Sequence, residues 1–269
     1  MNDKHNDAIL FEQRGNVALL TLNRPDTRNA LSGEAMFAAF EDLFARMNGD
    51  MSIRAAVLTG AGSAFCSDGN VTEMRDRTGM FGGSPEQIAD NYKAGIQRIP
   101  RALQKLVVPI IAAVNGAAIG AGNGLACMCD IRIAASTARF AESFVKVGIV
   151  PGDGGCWLLP RVVGTSNAAL LALTGDAINV DEALRMGLVS KVVAPDALLS
   201  EAMALAQRIA ANPRQWLRWI KQLLQQAKGG TLDEALDRAD HFQGQAHHTA
   251  DHTEAVTAFF EKRAPLFGK

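Results

Sequence analysis

Three short turns rich in small residues hold the groups that could do chemistry. The longest is Gly116-Ala117-Ala118-Ile119-Gly120-Ala121-Gly122-Asn123-Gly124, between an apolar strand-like run and an apolar helical stretch. Small residues let a ligand or another backbone approach closely. A helix start there leaves N–H groups pointing outward with a favourable dipole, a place for a phosphate or for an oxyanion formed during reaction. Tight helix–strand packing explains the same glycines equally well. The G-x-G-x-x-G dinucleotide spacing fails because its last position is Leu125. No Walker A loop and no G-x-S-x-G occur.

The second turn, Ala64-Phe65-Cys66-Ser67-Asp68-Gly69-Asn70, could supply a further N–H donor. Cys66 beside Ser67 would be a nucleophile only with a histidine close in space, and none is near in sequence. The third turn, Pro151-Gly152-Asp153-Gly154-Gly155, carries a carboxylate ahead of a helix predicted to reach Leu159. Asp153 reads either as an N-cap or as a general acid/base on a rigid turn. The histidines are His5, His241, His247, His248 and His252. The i, i+4 pair His248 and His252 lacks the glutamate of H-E-x-x-H, so it reads as a solvated helix face. Cys127 and Cys129 read as core.

These turns need elements to hold them. Ile9 to Gln13 and Asn16 to Leu22 form a hairpin pattern around Gly15. Met36, Phe40, Leu43, Phe44 and Met47 mark one face of a helix from Gly33 to Met47. Ala55 to Thr59, Ile110 to Val114 and Ile131 to Ala134 are continuous apolar runs, as in strands buried on both faces. Helical stretches, Pro85 to Leu106 and Gly122 to Met128, lie between them, and Gly79 to Pro85 reads as a loop. Such alternation predicts an α/β architecture with parallel pairing. After Pro195 the pattern is helical: Asp196–Ala211, Pro213–Ala227, Thr231–Ala246 and Ala250–Arg263.

The chain has 269 residues, of which 48% are hydrophobic and 20% charged, as in a globular protein. A net charge of −1 and 6% aromatics argue against a nucleic-acid surface. Four cysteines in this length are too few for a disulfide framework. The polar start, Met1 to Asp7, lacks the apolar stretch of a signal peptide, and no run of eighteen apolar residues occurs. A reduced, cytoplasmic protein with no membrane partner is the expectation.

The combination resembles the crotonase (enoyl-CoA hydratase/isomerase) superfamily from about Ile9 to Phe267. The likeness rests on Leu22-Asn23-Arg24-Pro25 with Arg28-Asn29-Ala30-Leu31, on Ala64 to Met74, and on Val114-Asn115-Gly116 through Asp130. It also rests on Phe140 to Gly155 with Leu159-Pro160-Arg161, and on Phe259-Phe260-Glu261-Lys262-Arg263. The resemblance implies a spiral of repeated ββα units with a C-terminal helical region used for trimer formation. The polar start and the change of composition after Pro195 divide the chain into a flexible leader (1–7), a core (8–195), to which the resemblance assigns an acyl-CoA site, and a helical subdomain (196–269). A homotrimer or dimer of trimers is implied, with no metal and no separate cofactor, since CoA enters as part of the substrate.

By motif position the resemblance places two backbone oxyanion donors at Gly69 and Ala121. It runs CoA along Arg28, Ala30 and Leu31, sets the Ala64 backbone near the adenine, and brings Lys262 or Arg263 to the phosphates. Hydratases of the family manage a water with two glutamates. Those positions are Gly124 and Phe144 here, and neither can activate water. Asp153 is the best remaining carboxylate and Asp68 the next. Glu142 and Glu73 are expected at the surface. The resulting reading is enoyl-CoA isomerisation or atypical hydration through a stabilised enolate. The alternatives are a carbon–carbon bond hydrolase acting on a diketone, which the P-G-D-G spelling also resembles, and a catalytically silent acyl-CoA binder.

Overall fold

The computed structural model describes residues 8–67, 69 and 71–268. The expected leader and Asp68 lie outside the described residues. The chain opens with the predicted hairpin, β1 (Ile9–Arg14) and β2 (Val17–Leu22), and then α1 (Glu34–Gly49). Three ββα passages follow: β3 (Ala55–Gly60), β4 (Ala64–Cys66) and α2 (Val71–Asp76); β5 (Ile110–Val114), β6 (Ala117–Ile119) and α5 (Ala121–Met128); β7 (Ile131–Ala135), β8 (Arg139–Ala141) and α6 (Gly155–Thr174). Helices α3 (Pro85–Ala94) and α4 (Arg98–Gln104) sit between the first and second passages. The chain ends with α7 (Val180–Arg185), β9 (Lys191–Val193), α8 (Leu198–Ala210), α9 (Arg214–Gln226), α10 (Leu232–Ala246) and α11 (Ala250–Glu261).

The first strand of each passage joins a six-stranded sheet of order β1-β2-β3-β5-β7-β9. Only the β1–β2 pair in it is antiparallel. The second strands form a separate parallel sheet, β4-β6-β8. This alternation between two sheets is the ββα spiral.

Strand residues alternate between two cores. Ala18, Leu20 and Leu22 of β2 face a large core with Phe40, Phe44, Phe65 and Phe140. Val17 and Leu19 face the other way, with Val57, Ile111 and Ile133, against Leu198, Ala202, Met203 and Ala206 of α8. Helix α8 thus covers the outer sheet face. Helix α9 docks through buried cations. Arg218 donates to the carbonyls of Met47, Asn48 and Asp50 at the end of α1, while Lys221 donates to Val108 and pairs with Asp130 at 2.8 Å.

Two helical expectations change. The single helix over Pro85–Leu106 is two helices, because Gly95 leaves helical geometry at φ −108, ψ −112. The helix expected to end at Leu159 runs to Thr174, bending where Gly164 takes φ 78. Among the described residues, α6 alone is long and apolar enough to cross a bilayer. It packs on α5 with Gly155, Leu158, Leu159, Val163, Ala168 and Leu171 buried.

Candidate active site

The small parallel sheet brings the first two turns and the residues that follow β8 to one end. Beyond β4 comes Gly69, beyond β6 come Gly120 and Ala121, and beyond β8 come Glu142 and Phe144. The strands are neighbours in parallel register, so these turns share one end. Ligand crevices form at the carboxyl ends of parallel strands because the chain leaves them for a helix there.

Gly120 precedes α5 at φ 54, ψ −120, a conformation that suits glycine. Its N–H donates to Ala141 at 2.8 Å and ties this turn to β8. Ala121 is the first residue of α5 and lies outside the positive-φ residues. An alanine there carries no backbone penalty. The strain that would have counted against it falls on Gly120.

Asp153 is 2% exposed, and its Oδ1 accepts the Gly155 N–H at 3.1 Å. The N-cap position of α6 belongs to Gly154, so Asp153 stands one residue ahead of the cap. Its Oδ2 lies where a β-carbon on Gly124 would stand. The side-chain space beside Gly124, the position that the sequence resemblance aligns with a hydratase glutamate, is therefore filled by the carboxyl of another residue. The Asp153 turn is held by Gln97, whose Nε2 donates to Gly152 at 3.2 Å, and by the Tyr92 ring packed on Gly152.

Glu142 corrects a surface expectation. It is 1% exposed, its Oε2 accepts from Asn123 Nδ2 at 2.8 Å, and its Oε1 fills the space beside Gly155. Two buried carboxyls thus flank the first residue of α6. A buried carboxyl must be hydrogen-bonded, and the α6 amide and Asn123 supply those bonds. A polar residue after an apolar strand carries no sequence signal of burial, so the buried place of Glu142 could not be found from the sequence. Asn123, inside the small-residue run, could have been.

A narrow cavity of ≈ 20 Å³ is bordered by Gly69, Ala121, Phe144 and Asp153, with Leu31, Met74 and Phe81. That is room for about one water-sized group. Gly69, Ala121 and Asp153 thus border one space. Leu31 (2% exposed) lies on its wall, with Ala30 (4%) and Ala64 (3%) also buried. The segment is clamped to the β4 turn by buried Asn29, whose Nδ2 donates to Ala61, Ala64 and Phe65. Arg28 and Asn29 both take left-handed backbone, φ 53 and φ 59, and leave the Arg28 side chain exposed. Lys262 stands at the exposed end of α11 and does not line this cavity. Arg263 is engaged by Glu254 and Glu261.

The chain as a whole matches known proteins. The family model described as enoyl-CoA hydratase/isomerase matches residues 12–269. The chain belongs to the enoyl-CoA hydratase/isomerase family. It is 38% identical over 259 residues to 1,2-epoxyphenylacetyl-CoA isomerase of Escherichia coli strain K12, covering 96% of this chain and 97% of that one. It is 37% identical over 258 residues to the short-chain-enoyl-CoA hydratase of Clostridium acetobutylicum, covering 95% of each. The crystal structure of enoyl-CoA hydratase from Bacillus anthracis superposes with a TM-score of 0.89 at 32% identity, covering 97% of this chain and 98% of that one. The protein is an enzyme of the hydratase/isomerase type with the family's fold.

The other candidates lie elsewhere in this family member. The near contact among the histidines is His247 Nδ1 to His252 Nε2 at 3.1 Å, between α10 and α11, rather than the i, i+4 pair. Cys66 is buried, with its thiol donating to the Asn29 carbonyl at 3.1 Å. Burial pushes the Cys127 and Cys129 thiols up to about 12, so both are inert core groups.

Proposed function

We propose that this protein isomerises the double bond of an enoyl-CoA, with Asp153 as the one acid/base. The thioester oxygen would sit between the N–H groups of Gly69 and Ala121. Asp153 takes a proton from the carbon alpha or gamma to the carbonyl. The electron pair left behind moves onto the carbonyl oxygen as an enolate. Fixed backbone donors in a dry site stabilise that charge without reorganising. Asp153 then returns the proton to the other carbon, so the double bond shifts and nothing else enters or leaves.

The observation that carries this reading is the Asp153 carboxyl in the space beside Gly124, on the same narrow cavity as Gly69 and Ala121. One carboxylate suffices for a proton shuttle, whereas the two-glutamate hydration mechanism lacks both side chains. The diketone hydrolase reading gains nothing, since the described histidines lie on or just after α10 and on α11. On the same footing we assign CoA binding to Arg28, Ala30, Leu31 and Ala64, phosphate contact to Lys262, and a trimeric or hexameric assembly. The free cysteines fit a cytoplasmic setting.

The test is a panel of 2-enoyl-, 3-enoyl- and 3-hydroxyacyl-CoAs, with wild type and Asp153→Asn. Isomerisation by wild type should fall about 10²–10⁴-fold in the variant, with thioester binding retained. Unchanged turnover removes Asp153 as the base. Absence of turnover on every thioester leaves the silent binder or the hydrolase.

A further inference from the structure

Behind Asp153 lies a second, larger space. Gly152 and Asp153 border both the narrow cavity and a chamber of ≈ 600 Å³. That is the size of a pocket for a small organic group. Its inner wall is apolar, with Leu103, Met128, Trp157 and Leu158. Its rim carries donors: Arg101 and Lys105 from the end of α4, and Lys228 after α9. Among the described residues that line it, the only carboxylate is Asp153.

The rim charges are not spent on neighbours. Arg98, one turn before Arg101, takes both Glu34 and Glu41. Arg101 reaches only the Lys93 carbonyl and the Gln97 side-chain oxygen, at 3.3 and 3.1 Å. Glu41 is within electrostatic range of Lys105 but is already held by Arg98. Lys228 is within electrostatic range of another cation, Lys221. Both lysines follow helix C-termini, where the dipole tolerates a cation. Beyond that, three exposed cations stand at the mouth of an apolar chamber, and among the described residues none of them is held in an ion pair.

We propose that the chamber takes an acyl group that ends in a carboxylate, so that the substrates are CoA thioesters of dicarboxylic acids. This rests on the acyl-CoA reading of the site above. The thioester carbonyl lies on the Gly69–Ala121 side. The methylene chain passes Asp153 along the Leu103, Met128 and Leu158 wall. The distal carboxylate meets Arg101, Lys105 and Lys228 at the rim. A charge-assisted hydrogen bond to a partly desolvated carboxylate is among the stronger polar contacts. A neutral chain of equal length would leave the rim unsatisfied.

The test uses thioesters that do not turn over. Calorimetry compares adipoyl-CoA with hexanoyl-CoA, and suberoyl-CoA with octanoyl-CoA, on the full chain and on Lys105→Gln and Lys228→Gln. The CoA portion is common to each pair, so its contribution cancels. At least one pair should favour the carboxylated chain by about tenfold, and each variant should cut that ratio several-fold. A ratio near one for both pairs, or a preference for the neutral chains, overturns the proposal. So does a ratio that both variants leave unchanged, since the lysines would then serve the CoA phosphates or nothing. If none of the four thioesters binds, the acyl-CoA reading falls as well, and the two failures are thereby told apart.

Discussion

Gly124 decides the site's geometry by what it lacks. Adding a single methyl there meets the Asp153 carboxyl. Gly124→Ala should therefore displace the acid/base, lowering isomerase turnover at least tenfold. Overpacking of this kind costs about 1–3 kcal/mol in a melting experiment. A melt shift without loss of turnover would separate Asp153 from the chemistry. Cys156 offers a second residue-level probe. It is the exposed cysteine, and its thiol is held above the usual range by partial burial and then by the charges of Glu142 and Asp153. Removing one negative neighbour lowers a thiol's pKa and enlarges its reactive thiolate fraction. Asp153→Asn should therefore speed alkylation of Cys156 at pH 8, read by mass spectrometry. An unchanged rate would mean that no charge resides on Asp153.

Helix α9 illustrates how an element is anchored by polar groups. Lys221 is buried, its side chain 4% exposed, and pairs with Asp130. Burial holds its ammonium below the usual lysine range, partly offset by Asp130. Asp130→Ala leaves a buried cation without its counter-charge and should cost about 3 kcal/mol of unfolding free energy at neutral pH. The sign with pH follows from proton counting. The folded Lys221 gives up its proton below the ordinary value of about 10.4, while the unfolded chain keeps it. Stability therefore rises with pH in that window. The deficit of Asp130→Ala should shrink between pH 7 and 10 in urea titrations. A deficit that grows with pH would contradict the buried-cation account.

At the scale of the molecule, several large apolar side chains face outward. Leu173 on α6 is 77% exposed, and Phe259 and Phe260 on α11 are 78% and 77% exposed. Adjacent exposed apolar side chains, as at Phe259 and Phe260, are the material of contact surfaces when they form a contiguous patch. The trimer proposed for this chain predicts light scattering at about three or six times its 28.6 kDa. Charging the C-terminal face, with Phe259→Glu and Phe260→Glu together, should shift that mass downward. A wild-type protein at 28.6 kDa at micromolar concentration would remove the assembly from the account.

The hairpin, the three long strands of the larger sheet, the helical C-terminal stretch and the turns at Gly69, Ala121 and Asp153 were legible in the chain because periodicity and small-residue clusters are local properties; the three-residue strands β4, β6, β8 and β9 were too short to show a period. The break at Gly95 and the long run of α6 were not, because packing rather than propensity sets where those helices stop. What a backbone amide points at, and whether a carboxyl is wet or dry, depend on residues far away in sequence. Nothing in Glu142 or Asp153 by itself announces burial. The sequence determined that Gly124 and Phe144 carry no carboxylate. Only the tertiary structure could show that Asp153 fills the space beside Gly124, because α5 and the start of α6 must pack before that space exists.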